Sequence, residues 1–259
     1  MRVDRVLAPN PSLFTGPGTN TWIVASLAQA VVIDPGPDLP GHVAAIRAAL
    51  ADLEPVAVLV THTHPDHAPA ANPLAGSLGV PTIGSAAGPR FRPDRRIADG
   101  DSVAFGEAQA LVVSTPGHTP DSTSYRVGDA LFTGDHIMGG STVIVEDMSD
   151  YLASLRVLAG TGLRVIYPGH GPVIDDPDAT IADYLAHRLA REAQVLAAVE
   201  AGSATLGQVV EAVYVDVDPA LYGAAALSVN AHLRKLHRDG SVRFPAPGDG
   251  WAAVVEVAG

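Results

Sequence analysis

Thr61-His62-Thr63-His64-Pro65-Asp66-His67 packs three imidazoles and a carboxylate into seven residues. An imidazole nitrogen binds zinc at about 2.0–2.1 Å, and a short loop delivers several ligands only if its side chains alternate in direction. His62 and His64 stand two apart, so both can reach one ion from an extended strand end. Asp66 and His67 follow and can turn toward a second ion, with Pro65 stiffening the turn by fixing its own φ. The run feeding this loop, Pro55-Val56-Ala57-Val58-Leu59-Val60, has the length and apolar character of a buried strand.

Three further apolar runs end the same way. Ala110–Val113 leads into Thr115-Pro116-Gly117-His118, Ala130–Phe132 into Thr133-Gly134-Asp135-His136, and Leu163–Tyr167 into Pro168-Gly169-His170-Gly171. Between the runs the spacing predicts helices at 41–53, 68–78, 149–160 and 179–201. Strands that repeatedly stop at histidine or aspartate place those groups on loops along one edge, where rigid scaffolds present functional side chains. Taken singly, each is as ordinary as any packed or solvated residue; the full set is a metal constellation. His62, His64 and His118 supply a first ion that keeps one position for water; Asp66, His67 and His170 supply a second; Asp135 can bridge. The expected separation is about 3.5–4 Å, with a hydroxide between the ions as nucleophile. Asp66 and Asp135 are the candidate catalytic residues, Asp66 also able to orient the nucleophile or take its proton. Two Zn²⁺ are the default cofactors, with iron or manganese able to occupy such His/Asp sites.

Composition bounds the rest. With 259 residues, 47% hydrophobic and 17% charged, the chain reads as globular with a well-filled core. A formal charge of −12 disfavours wholesale binding to nucleic acid or an anionic membrane, though a local basic groove remains compatible. The absence of cysteine removes disulfides, thiolate ligands and a cysteine nucleophile. The opening Met1-Arg2-Val3-Asp4-Arg5 lacks a secretory apolar region and no stretch is long enough to span a bilayer, so the expectation is a cytoplasmic protein without a membrane partner.

From about 203 the pattern changes. Residues 205–213, 219–226 and 228–239 read as three short helices, followed by Ser241-Val242-Arg243-Phe244, a turn at Pro245–Gly250 and a strand from Trp251 to Val257. That order is a winged helix, a helix-turn-helix variant, and it divides the chain into a catalytic domain, 1–200, and a winged-helix-like domain, 201–259. In 228–239, Val229, Leu233 and Leu236 form an apolar stripe while Asn230, Arg234, Lys235 and Arg238 can face outward. This suits a recognition helix and equally an ordinary amphipathic one. Arg234, Lys235, Arg238 and Arg243 form one basic cluster, and Arg90, Arg92, Arg95 and Arg96 a second, in a proline-broken loop. Arginine's fork matches phosphate oxygens, although charge runs are more often solvated surface.

The successive motifs 61–67, Thr115-Pro116-Gly117-His118-Thr119, Phe132-Thr133-Gly134-Asp135 and Tyr167-Pro168-Gly169-His170-Gly171 resemble those of the metallo-β-lactamase-fold superfamily. Gly18-Thr19-Asn20-Thr21 and Val32-Ile33-Asp34-Pro35-Gly36 resemble its early strand motifs. The resemblance implies an α/β architecture, an αββα sandwich with metals at one edge and a small C-terminal winged-helix domain. One departure is Ala68-Pro69-Ala70, where the family usually carries small, glycine-like residues after the last histidine. Val145-Glu146-Asp147 with Tyr151, Tyr184-Leu185-Ala186-His187-Arg188 with Arg191-Glu192, and the 205–243 tail are similar to the β-lactamase-like endoribonuclease family of mitochondria and its bacterial relatives.

Three readings follow. The first is a dinuclear hydrolase acting on phosphodiester bonds of single-stranded RNA. The second keeps the site and takes a thioester or small ester, like the glyoxalase II relatives, since one nucleophile suits both. The third is a nucleic-acid-binding regulator with structural metals, disfavoured because structural zinc sites are closed. Asn20, His136, His187, Arg234, Lys235 and Arg238 are the candidate substrate contacts, with structural roles the plainer reading of His136 and His187.

Overall fold

The computed structural model describes residues 1–140, 142–244 and 250–258. They gather into two compact units that do not follow a single cut in the chain. The first comprises Met1–Pro116, Asp121–Val143 and Gly160–Thr180; the second comprises Gly117–Pro120, Ile144–Ala159 and the chain from Ile181 onward.

The first unit holds two sheets. Strands β1 (Arg2–Leu7), β2 (Asn20–Ser26), β3 (Gln29–Ile33), β4 (Glu54–Leu59), β5 (Thr82–Gly84) and β6 (Arg95–Arg96) lie side by side in that order. β1, β2 and β3 pair antiparallel; β3 to β6 pair parallel. Parallel neighbours need crossovers, and helices α1 (Pro40–Ala49) and α2 (Ala71–Leu78) lie on two of them. The second sheet runs β11 (Val165–Pro168), β10 (Ala130–Gly134), β9 (Thr123–Val127), β8 (Ala108–Ser114) and β7 (Ser102–Phe105), with only β10 and β11 parallel.

Side-chain alternation along each strand sorts residues to two faces. Trp22, Val24, Val31, Ile33, Ala57 and Leu59 of the first sheet join Val103, Phe105, Val112, Tyr125 and Phe132 of the second in one core. Their alternates, Ile23, Ala25, Val32, Val58 and Val60, pack with Ile46 of α1 and Leu74 and Ala75 of α2. β3 and β4 are thus apolar on both faces, as parallel strands covered on both sides must be.

The second unit contains α3 (Met148–Leu158), most of α4 (Pro177–Glu200), α5 (Leu206–Val213), α6 (Tyr222–Arg238) and the antiparallel pair β12 (Val242–Arg243) and β13 (Glu256–Val257). Its core joins Val195 and Val199 of α4, Val209 and Val210 of α5, and Val229, Leu233 and Leu236 of α6, with Val242, Phe244 and Val255.

Three sequence expectations are corrected. Residues 219–226 and 228–239 form a single-turn 3-10 segment, Pro219–Leu221, and then the continuous α6; between 224 and 238 there is no glycine or proline to stop a helix. The strand expected from Trp251 to Val257 begins as a 3-10 turn, Gly250–Ala252, and pairs as β13 only at its end, with Val254 bridging to Thr205. The turn expected at Pro245–Gly250 lies, up to residue 249, outside the described residues. The helix expected at 68–78 starts at Ala71, because Pro69 biases Ala68 away from the helical region. No helix among the described residues is long and apolar enough to cross a membrane.

Candidate metal centre

The parallel pairing of β3, β4 and β5 brings their C-terminal ends to one edge of the first sheet, and the histidine-rich loop leaves β4 there. Asp34, immediately after β3, organises it. Its backbone is left-handed, φ 50°, and its side chain is buried. Its Oδ1 accepts the Thr61 amide at 2.8 Å, while Oδ2 accepts the Thr61 hydroxyl at 2.7 Å and His67 Nδ1–H at 2.9 Å. Thr61 Oγ1 in turn accepts from His62 Nδ1–H at 3.0 Å. One carboxylate therefore fixes the tautomer of two imidazoles, leaving each with Nε2 as its lone-pair nitrogen. Ligating histidines are commonly held this way through their other nitrogen.

From the second sheet comes the opposing half. Asp135 follows β10, and Gly169-His170 follows β11, tied in by Gly169 N–H donating to Gly134 O at 2.7 Å and Asn20 N–H donating to Gly169 O at 2.7 Å. His170 Nδ1 faces the Gly18 carbonyl at 3.3 Å, so its Nε2 also points inward as an acceptor.

The result is a convergence of acceptors. His67 Nε2 and His170 Nε2 stand 3.2 Å apart. Asp66 Oδ2 lies 3.3 Å from the first and 3.1 Å from the second, and Asp135 Oδ1 lies 3.3 Å from both. Ligands held about 2.0–2.1 Å from one zinc ion at tetrahedral angles stand roughly 3.3 Å from each other. The spacing, the buried setting and the donor chemistry all fit a divalent cation. Asp66, His67 and His170 form one candidate ligand group. His62, His64 and Asp135 form another, their ligand atoms within 4.8 Å of each other. Asp135 directs Oδ1 to the first group, and its Oδ2 lies 4.0 Å from His62 Nε2. A further grouping, Asp34 with His62 and His67, has the right atom types, but Asp34 already spends both oxygens on hydrogen bonds. Within the second unit, His118 has its ring set by Nδ1–H donating to the Ile144 carbonyl at 2.6 Å, again making Nε2 the acceptor.

Charge follows from this crowding. Burial alone would lower the His67 pKa, but the carboxylates of Asp135, Asp66 and Asp34 outweigh it and raise it well above its usual value. His170 behaves alike: burial opposes protonation, and hydrogen bonds to Asp135 and Asp66 still push it up to about 9. For Asp66 and Asp135 burial pulls the other way, and the charge of His67 with hydrogen bonds from both histidines holds each well below the ordinary carboxylate range. Protons on His67 and His170 thus compensate the two carboxylates, and a divalent cation held by the same atoms would displace those Nε2 protons and return each ring to its acceptor role.

The remaining candidates fall elsewhere. Asn20 is fully buried, its amide donating to the Pro168 and Gly171 carbonyls at 3.0 Å, which makes it a strap for the His170 loop. His136 is buried directly after Asp135. In the second unit His187 lies on α4, and Lys235 and Arg238 of α6 are engaged with acids. Lys235 Nζ reaches Glu192 at 2.8 Å and Asp239 at 2.7 Å, while Arg238 grips Asp147 at 2.6 and 2.7 Å. Arg234, also on α6, is half-buried. Asp34 was not among the candidates; an acid ending a buried strand before Pro35-Gly36 was the signal available.

Comparison with known proteins gives the family. Residues 14–170 match the family described as metallo-beta-lactamase superfamily, and residues 205–251 match the beta-lactamase associated winged helix domain. A beta-lactamase-like protein 2 homolog of Caenorhabditis elegans is 32% identical, over 94% of this chain and 86% of its own. An atrochrysone carboxyl ACP thioesterase of Aspergillus chevalieri is 37% identical, over 82% of this chain and 73% of its own. The crystal structure of a beta-lactamase domain protein from Burkholderia ambifaria superimposes with a TM-score of 0.80 at 22% identity, covering 99% of this chain and 91% of that one, a likeness of fold. With more than half of its length matched by that family and a 32% identical relative aligned along nearly all of it, the chain belongs to the metallo-β-lactamase superfamily.

Proposed function

We propose that the chain is a metal-dependent thioester hydrolase. The observation that carries this choice among the superfamily's reactions is the identity of 37% over 82% of the chain with a protein named as a thioesterase. A second relative so named, from Emericella nidulans, is 35% identical over 75% of the chain. The chemistry is compatible. A thiol has a pKa of about 8.5, so a thiolate departs without a strong proton donor, and the site needs chiefly an activated water and a polarised carbonyl. Divalent cations, zinc by default, supply both when bound. Asp66, His67 and His170 would hold one, and His62, His64 and, by its place in the sequence motif, His118 the other, with Asp135 between them. Asp34 orients His67 directly and His62 through Thr61.

Single-stranded RNA is the less favoured substrate. Two of the α6 cations that would grip phosphates are already paired with Glu192, Asp239 and Asp147, and the chain as a whole is strongly acidic. The deciding assay offers the purified protein an acyl thioester, single-stranded RNA and a nitrocefin-like lactam, each with and without chelator. Chelator-sensitive thioester turnover, abolished in Asp135→Asn, is the expected result. RNA cleavage without thioester turnover overturns the reading.

A further inference from the structure

We infer that the arginine-bearing segment from Arg90 to Arg96 docks an acidic carrier protein that presents the thioester, an inference that rests on the thioesterase reading. Two independent observations place it. The first is position. Because β4, β5 and β6 are parallel, the C-terminal ends of β5 and β6 share the edge from which the metal-binding loop leaves β4. The segment following β5 touches that loop. A Cβ added at Gly88 would lie 2.5 Å from Thr63 Cβ, and Thr63 sits between His62 and His64. Asp121 ties both, accepting from Thr63 N–H at 3.0 Å through Oδ2 and from Ser85 Oγ–H at 2.6 Å through its carbonyl. Arg90 lies on the Gly88–Phe91 turn, and Arg96 pairs with Gly84 at the end of β5.

The second observation is charge. The segment carries four arginines against one aspartate in a chain of net charge −12, and all four arginines are exposed. Among the described residues the nearby acids Asp94, Asp99 and Asp101 form no ion pair with these arginines and accept neutral donors instead. Asp94 caps Thr82 through its amide and hydroxyl at 2.8 Å, Asp99 accepts the Ser114 amide, and Asp101 the Ala98 amide. Arg90 meets Asp38 only loosely, at 3.4 Å and largely exposed, a pairing worth little. Among the described residues Arg92 and Arg96 show no ion pair. Arg90 and Arg96, the two arginines placed at the metal-binding edge, give an acidic body a local positive patch, which offers an acidic partner a single orientation with its acyl arm beside the metal loop.

The test uses the full chain and one acyl group on three carriers: a purified acidic acyl carrier protein, coenzyme A, and N-acetylcysteamine, which is uncharged. In Arg90→Glu/Arg96→Glu the KM for the carrier-protein thioester should rise about tenfold at low salt with kcat unchanged, an effect that shrinks at high salt. Turnover of the N-acetylcysteamine thioester should not move, and neither should Arg164→Glu, an exposed arginine outside the segment, alter either substrate. The milder Arg90→Gln/Arg96→Gln serves if the charge reversal fails to fold. An unchanged KM for the carrier protein overturns the proposal, as does a loss confined to a coenzyme A thioester. Self-association with unchanged KM also overturns it, since the arginines would then only guard an edge strand. If none of the thioesters is turned over the thioesterase reading fails, and calorimetric binding of the carrier protein still decides docking: binding weakened in the variant supports it, equal binding refutes it.

Discussion

Asp34 and Gly169 show how little room the centre has at the level of single residues. Asp34 accepts from Thr61 and from His67 while Thr61 accepts from His62, so its charge and shape set two ligand rings. Asp34→Asn keeps the size but removes an acceptor, and metal affinity should fall about 10- to 100-fold, as is typical when such supporting partners are lost; chelator competition followed by metal analysis measures it. An unchanged affinity would show that His67 needs no brace. Gly169 has a different role. A Cβ there would lie 2.5 Å from Asp135 Oδ1 and 2.7 Å from His67 Cε1. Gly169→Ala should therefore displace both ligands and lower metal content and turnover together while the circular dichroism spectrum stays native. Full metal occupancy in that variant would contradict the geometry.

Among the elements, α3 is the one whose stability is most open to test. Asp147 caps its N-terminus by accepting from the Ser149 and Asp150 amides at 2.9 and 3.1 Å, and it takes a two-pronged hydrogen bond from Arg238. The Arg238 hydrogen bonds outweigh the opposing effect of burial and bring the Asp147 pKa down to about 2 from 3.8. A carboxyl whose folded pKa is depressed stabilises above its unfolded value and loses that contribution as pH falls through the folded one. Asp147→Ala should thus cost about 1–2 kcal/mol at neutral pH, within the range for cap removal, and wild type and variant should converge as the pH drops from 3.8 toward about 2. Urea midpoints across that range provide the measurement. A difference that persists at the acid end would assign the effect to packing. In the first unit, Leu74 of α2 is fully buried against the outer face of the first sheet, so Leu74→Ala should cost about 2–5 kcal/mol.

For the whole molecule, the acids of the centre should couple metal to folding. Asp66 and Asp135 stay ionised in a crowded, largely dry setting, and a cation bound only by the folded chain stabilises it by mass action, about 4 kcal/mol at a thousandfold excess over Kd. Chelation should lower Tm and abolish turnover, and zinc should restore both; a Tm indifferent to chelator would mean that protons alone compensate the acids. Residues 61–67, 115–119, 132–135 and 167–171 offered the candidate ligands because strand patterning is local: each apolar run of fixed length must end at an edge, and the residue types there state their chemistry. The winged-helix order was legible for the same reason, although α6 proved continuous where two helices were expected. What the linear chain could not reveal depended on partners far apart in it. Asn20 became a strap only when the Pro168 and Gly171 carbonyls came within reach, 148 and 151 residues away. Lys235 lost its freedom to a glutamate 43 residues distant, and Arg238 to an aspartate 91 residues distant. Local composition determined which groups could act; the pairing of remote strands and helices decided which of them were left to do so, because a hydrogen bond or ion pair exists only where the fold brings its two ends together.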